Sequence, residues 1–242
     1  MVDFLVFSLH FLWIGGAIIT FIYWRRLHDV GDTPEVPIAQ AQPGMAARFQ
    51  GRSAFHGQAR TSLIGAVAAV QFDWKIEHRE VQRTGGDSTW RTRAQGSSME
   101  PFAVVDESGN RLLVWPMDAV VHDTHERIWD GEFPDTMSST LRDQLVDGIG
   151  LVARLTGFGE LRFTEHWLPP DMPCFVIGLV EAPGPDHGPD VRGLVRAGGA
   201  HGFFIAAGTP LDALASLRRH ARAAAAFAAV MFALAITASI FA

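Results

Sequence analysis

The stretch Phe4–Trp24, FLVFSLHFLWIGGAIITFIYW, and its counterpart Ala223–Ala242, AAAAFAAVMFALAITASIFA, decide the architecture, because neither contains an Asp, Glu, Lys or Arg. At ~1.5 Å rise per residue, helical runs of this length reach roughly 30 Å, the thickness of a bilayer's hydrocarbon core. Nearly all the polar sequence lies between them. The expectation is an α+β membrane protein in which transmembrane helices at 4–24 and 223–242 flank one β-rich soluble domain with one or two helices of its own.

A cleaved signal would place positive charge before the apolar run and small residues after it. Here Asp3 precedes the run, and Trp24, Arg25 and Arg26 close it, as in a retained anchor with an aromatic interface residue. The second run is rich in alanine, but its only polar residues are Thr237 and Ser239, so it lacks the polar face of a long soluble helix. Arg25 and Arg26 follow the first run, and Arg218, Arg219 and Arg222 precede the second. Basic residues are retained on the cytoplasmic side, so the charge rule puts the domain in the cytoplasm with both termini outside. In a bacterium the membrane would be the inner one.

The formal charge of −6 leaves no cationic surplus for a phosphate backbone, which argues against a nucleic-acid partner. Cys174 is the only cysteine, so neither an internal disulfide nor a multi-thiolate zinc site can form within one chain. Residues 25–50 contain Pro34, Pro37 and Pro43 and read as a linker. Residues 51–208 are long enough to build their own core.

That domain reads mainly as strands. From Val70 onward, Val70, Phe72, Trp74 and Ile76 alternate with Gln71, Asp73, Lys75 and Glu77, the pattern of a half-exposed strand within 66–79. Phe102–Val105 and Arg111–Trp115 enclose Asp106-Glu107-Ser108-Gly109-Asn110, a hairpin in which Gly109 can supply positive φ. Cys174–Leu179 reads as a buried strand and Gly202–Ala206 as the last strand. Leu141, Leu145, Ile149 and Val152 recur at helical spacing, with Ser138 or Ser139 as N-cap and Gly157 as stop. Thr209-Pro210 starts a juxtamembrane helix over 209–222 that continues into the second span.

The segments Pro101–Pro116 (PFAVVDESGNRLLVWP), Arg162–Gly178 (RFTEHWLPPDMPCFVIG) and Phe203–Ala221 (FFIAAGTPLDALASLRRHA) resemble the membrane-anchored GIDE, or MULAN-type, domain. The resemblance runs from about Thr61 to the C-terminus and rests on Asp106, Gly109, Glu165, Pro169, Pro170 and Gly178. It implies a span, a β-rich domain and a second span. In the eukaryotic relatives ubiquitin ligase activity belongs to a zinc-binding RING beyond the second span. This sequence reaches Ala242 with one cysteine, so the resemblance carries no ligase chemistry over. It also implies a domain facing the intermembrane space, the counterpart of the periplasm, against the charge rule.

Several side chains invite a chemical reading. Glu165 beside His166 could serve acid–base work, but neighbours in an extended segment point to opposite faces, which favours a carboxylate fixing a turn and an exposed imidazole. His122-Asp123-Thr124-His125-Glu126 offers metal-ligand types without a spaced third ligand, so a solvated loop is the better reading. Cys174 lies in an apolar strand and is expected to pack as a small hydrophobe. His10, six residues into the first run, is an interfacial histidine, a hydrogen-bond partner for another helix, or a ligand to a metal or pigment cofactor, in that order. Small residues Gly15-Gly16-Ala17 and Ala224, Ala228 and Ala235 suit packing between the two spans or against a larger complex. The sequence therefore points to a non-enzymatic scaffold, adaptor or accessory subunit with no resident cofactor or metal, whose partners are membrane lipids and other membrane proteins. The alternative is a membrane-proximal sensor of a lipid or small ligand.

Overall fold

The computed structural model describes residues 2–80, 88–122, 124–145, 160–185, 187–198 and 202–240. Helix α1 (Val2–Asp32) leads through a 3-10 turn (Ile38–Gln40) into β1 (Ala46–Phe55), β2 (Gln71–Glu80), β3 (Thr89–Ser97), β4 (Phe102–Val105), β5 (Arg111–Val114), β6 (Val120–His122) and β7 (His125–Asp130). A helix described over 139–145, α2, precedes β8 (Leu161–Leu168), β9 (Pro173–Glu181), β10 (Val191–Arg196), β11 (Phe204–Ala207) and α3 (Pro210–Ile240). The protein is thus a mixed α+β chain, with two long apolar helices flanking a β-rich domain that carries one further helix.

Seven strands form one sheet in the order β1-β4-β5-β10-β9-β11-β6, and β9 also pairs with β1. That extra pairing closes β1, β4, β5, β10 and β9 into a ring, which removes their open edges. Phe49, Phe102, Val104, Leu112, Val114 and Val176 fill the ring, and Val70 and Leu168 contribute to the same core from the ends of β2 and β8. Alternation along β9 sends Cys174, Val176 and Val180 inward and Phe175 and Ile177 outward. The outward pair meets Phe204 and Ala206 of β11 and the bases of both long helices through Val30, Ala213 and Leu217.

The second sheet, β3-β2-β8-β7, is antiparallel throughout. Its inner face buries Ile76, Leu161 and Phe163 against Ile64, Met137, Leu141 and Leu145. Ser138 caps α2 by accepting from the Leu141 amide at 3.2 Å. Ile149, Val152 and Gly157, read as the rest of that helix and its stop, lie outside the described residues.

The expected hairpin forms between β4 and β5, with Gly109 at φ +82°. Asp106 holds the turn: its Oδ1 accepts from the Ser108 and Asn110 amides, both at 2.9 Å. The strand expected over 66–79 starts only at Gln71, because Ala66 adopts φ +50° and the chain turns before it.

The stretch 25–50 corrects the linker reading. α1 runs on to Asp32, Ile38 is buried in the ring's core, and residues 46–50 are already in β1. Arg48 of β1 reaches back to donate to the Val30 carbonyl at 2.7 Å and pairs with Glu35 at 3.0 Å. A cation there satisfies a carbonyl of the last helical turn and opposes the helix dipole. The prolines break the helix without freeing the chain from the domain.

At the other end the juxtamembrane helix and the second apolar run are one element, α3. Thr209 Oγ1 accepts from the Asp212 amide at 3.3 Å while Asp212 accepts from the Thr209 amide at 3.2 Å, a reciprocal cap. The Thr209 hydroxyl, which donates to the Asp212 carboxylate at 2.6 Å, and the Thr209 amide hold that carboxyl below its usual range. Both long helices are long and apolar enough to cross a membrane, and only 6% and 11% of their apolar windows are buried. Core helices of a soluble protein would be covered on more of their surface.

Candidate functional site

The two long helices pack as an antiparallel pair. The less exposed positions of α1 include the stripe 6, 9, 13, 16, 20, 23, 27 and 30, with 8, 15, 26 and 29 beside it, and those of α3 include 217, 221, 224, 228, 231, 235 and 238. Alternating steps of three and four are a 3.5-residue repeat, the seam of a left-handed coiled pair. Gly16 approaches α3 closely: a Cβ there would sit 3.0 Å from the Ala228 Cβ, whereas one on Gly15 would meet nothing within 4 Å. Of the expected small patch, Gly16 therefore faces the partner helix and Gly15 does not. Trp13 packs edge-on to Phe232 at 5.3 Å, and Tyr23 stacks on His220 at 5.3 Å.

His10 lies off this seam and is exposed. Its Nδ1–H donates to the Val6 carbonyl of its own helix at 2.8 Å. Among the described residues it makes no hydrogen bond to α3, and its side chain is exposed on the outside of the helix pair.

By the register of Tyr23 with His220 and Gly16 with Ala228, Arg25 and Arg26 lie level with Arg218 and Arg219, and Arg222 lies one turn further toward the apolar ends. Trp24 is exposed at the same level. The membrane-interface residues read from the sequence at two distant places thus form one belt around the helix pair.

Glu165 is fully buried on the inner face of the second sheet. Oε1 accepts from the Ile64 amide, and Oε2 from the Gly65 amide and the Ser62 hydroxyl, each at 2.8 Å. The carboxylate does fix backbone, as expected, but that of the 62–65 loop about 100 residues away rather than of its own proline turn. Gly65 is required beside it, because a Cβ there would lie 2.9 Å from Oε2 and 3.3 Å from the Trp129 ring.

The proline turn is held by Ser53 of β1. Its hydroxyl donates to the Pro169 carbonyl at 2.5 Å, and the Met172 amide donates back to Ser53 Oγ at 3.1 Å. Pro170 leads into Asp171 at φ +60°, whose amide donates to the Ser53 carbonyl at 2.7 Å. Gly178 allows strands to close, since a Cβ would sit 2.7 Å from Val195 Cγ1. Every motif residue behind the family resemblance therefore shapes a turn, a loop or a close strand contact.

His166 faces the opposite side of the sheet. Strand register sets Ser97, Asp73, His166 and Glu126 in one row across β3, β2, β8 and β7, with His166 Nε2 3.6 Å from Glu126 Oε1. At the β2 end of the row lies a cleft of about 300 Å³ lined by Gln71, Asp73, Ser97, Met99 and residues 116–119. Gln71 is 3% exposed, and its Oε1 has no hydrogen-bond partner among the described residues. Burial raises the Asp73 carboxyl above its ordinary range, with His166 opposing and Glu165 adding to the rise. The alternation of β2 placed Gln71 and Asp73 on the polar face; nothing in the sequence signalled that His166 and Glu126 would join them.

The histidines of the 122–126 segment diverge. His122, in β6 of the first sheet, lies beside Phe204 and His220, while His125, in β7 of the second, stacks on Trp167 at 5.5 Å. Asp123 lies outside the described residues. Among the described residues no three His, Cys, Asp or Glu side chains converge to hold a metal ion. Cys174 is fully buried, and desolvation pushes its thiol up to about 12.

Comparison with protein-family models, curated proteins and solved structures gives no match.

Proposed function

We propose that this protein is a membrane-anchored scaffold, adaptor or accessory subunit whose β-rich domain is held in fixed relation to a membrane hairpin. The observation that carries this reading is the continuity between the two parts. Val30, Ala213 and Leu217 of the helix bases share one core with Phe175, Ile177 and Phe204 of the first sheet. Arg48 adds a side-chain tie from β1 to the end of α1. A domain carried this way presents its surface at a set distance and angle from the bilayer, which suits docking within a membrane assembly. Two of the residues that invited a chemical reading are used for structure: Glu165 spends both oxygens on the 62–65 loop and Cys174 is a core side chain.

The family reading stays with this proposal: a GIDE-like domain between two spans, without ligase chemistry. The charge rule places the domain in the cytoplasm of a cell with the hairpin in its inner membrane. Cysteine labelling at an exposed domain position, in a Cys174→Ala background, tests the side; labelling only from outside the cell would overturn it. The scaffold reading is tested by purification in mild detergent and by in-cell cross-linking from the domain surface. Stoichiometric protein partners, reduced by substitutions on that surface, are expected, and a homogeneous protein that cross-links only to lipid would refute it.

A second reading has one observation in its favour. The cleft beside Gln71 and Asp73 presents a buried amide oxygen that is unpaired among the described residues, as a sensor of a small polar ligand would. A ligand that raises the melting temperature of the wild type but not of Gln71→Leu would support it.

A further inference from the structure

The geometry points to the arginine belt as a binding site for the headgroups of anionic phospholipids in the leaflet next to the domain. This rests on the proposed insertion of the helix pair in a bilayer and names the lipid class that the belt selects. Arg25 and Arg26 of α1 and Arg218, Arg219 and Arg222 of α3 are separated by almost the whole sequence, yet the antiparallel register brings them to one level. The chain as a whole carries −6, so this +5 belt is a local inversion of its charge. No Asp or Glu lies in residues 20–28 or 216–224; the nearest acids are Asp29 and Asp212, on the domain side.

Among the described residues no carboxylate lies within ion-pair distance of the belt. Among the described residues none of the five arginines makes an ion pair, while at least seven other arginines do. Arg26 instead lies over the Tyr23 ring at 5.9 Å, which leaves its donors free to turn outward. Trp24, more than half exposed at the same level, is the side chain that settles at the headgroup layer. The apolar surfaces of both helices begin immediately beyond the belt. A phosphodiester anion held at that depth by its own acyl chains meets planar guanidinium donors suited to it. A zwitterionic headgroup brings its own cation and gains less.

Each basic residue near an anionic surface contributes about fivefold in affinity, so removing three costs on the order of 100-fold. The test uses the full chain in detergent, with native mass spectrometry after titration with phosphatidylglycerol, phosphatidylcholine or inorganic phosphate. Phosphatidylglycerol is expected to be retained at concentrations at least tenfold below phosphatidylcholine. The triple variant Arg218→Gln, Arg219→Gln, Arg222→Gln should lose that preference while melting as the wild type does. The corresponding Lys variants should keep much of it, because a point charge remains.

Equal retention of the two lipids, or an unchanged preference in the Gln variant, would overturn the proposal. So would inorganic phosphate that displaces the anionic lipid at equal concentration, since the site would then belong to a soluble anion. Flotation of the same protein with phosphatidylcholine liposomes after an alkaline wash separates the two levels of inference. Protein that floats but shows no lipid preference defeats the belt alone; protein that does not float defeats the membrane insertion on which it rests.

Discussion

Replacing Glu165 by Gln should destabilise the domain by about 2–4 kcal/mol, and the number follows from three hydrogen bonds. Oε1 takes the Ile64 amide; Oε2 takes the Gly65 amide and the Ser62 hydroxyl. Glutamine keeps one acceptor oxygen in either orientation. If it replaces Oε2, the new NH2 faces the Ile64 N–H; if it replaces Oε1, the NH2 can donate to Ser62 Oγ, but the Gly65 N–H is orphaned. Either way one buried N–H is left unpaired, which costs about 1–3 kcal/mol. The remaining bonds also fall from charge-assisted to neutral strength, about half. Removing a buried charge offsets part of this loss. For a chain of this size the sum corresponds to roughly 5–15 °C in melting temperature. The assay is thermal unfolding in detergent followed by tryptophan fluorescence, with Trp129 as a local reporter because its ring lies against Gly65. Limited proteolysis should show the 61–69 segment opening first. A stability change below about 0.5 kcal/mol, with that segment still protected, would refute the role given to the carboxylate, since such a change is ordinary for a surface site.

Gly16→Leu should force α1 away from Ala228 at a cost of about 1–3 kcal/mol, whereas Gly15→Leu should be tolerated; the readout is disulfide cross-linking of a Thr20→Cys, Ala224→Cys pair in a Cys174→Ala background. Cys174 should resist a thiol reagent at pH 8 and react only after unfolding, because with a thiol near 12 only about one molecule in 10⁴ is thiolate at that pH. Asp73→Asn should stabilise the protein at neutral pH. The folded carboxyl binds its proton more tightly than the unfolded one, so the wild type loses stability as pH rises from the unfolded value near 3.8 through the raised folded value. Melting curves for both proteins should therefore converge in acid and diverge toward neutrality, and parallel curves would refute the assignment.

The sequence by itself determined what depends on near neighbours. Charge-free runs of 20 or so residues made the two long helices, the Asp106–Asn110 turn made the first hairpin, and Thr209 with Asp212 made the cap that starts α3. Each of these is a local competition among conformations, settled within a few residues. The 25–50 stretch misled because prolines report only that a helix ends; whether the chain then floats or docks depends on Arg48 and Ile38 finding the Val30 carbonyl and the ring's core.

Tertiary structure decided everything that depends on register between distant segments. Glu165 meets a loop about 100 residues earlier, His166 joins a row made by three other strands, and the histidines of 122 and 125 part onto two sheets. One residue of slip in any strand would reverse those faces, and no local pattern records the choice. The arginines show both halves of the matter: their positions beside the apolar runs are plain in the sequence, but only the antiparallel packing of α1 on α3 makes five charges into one belt.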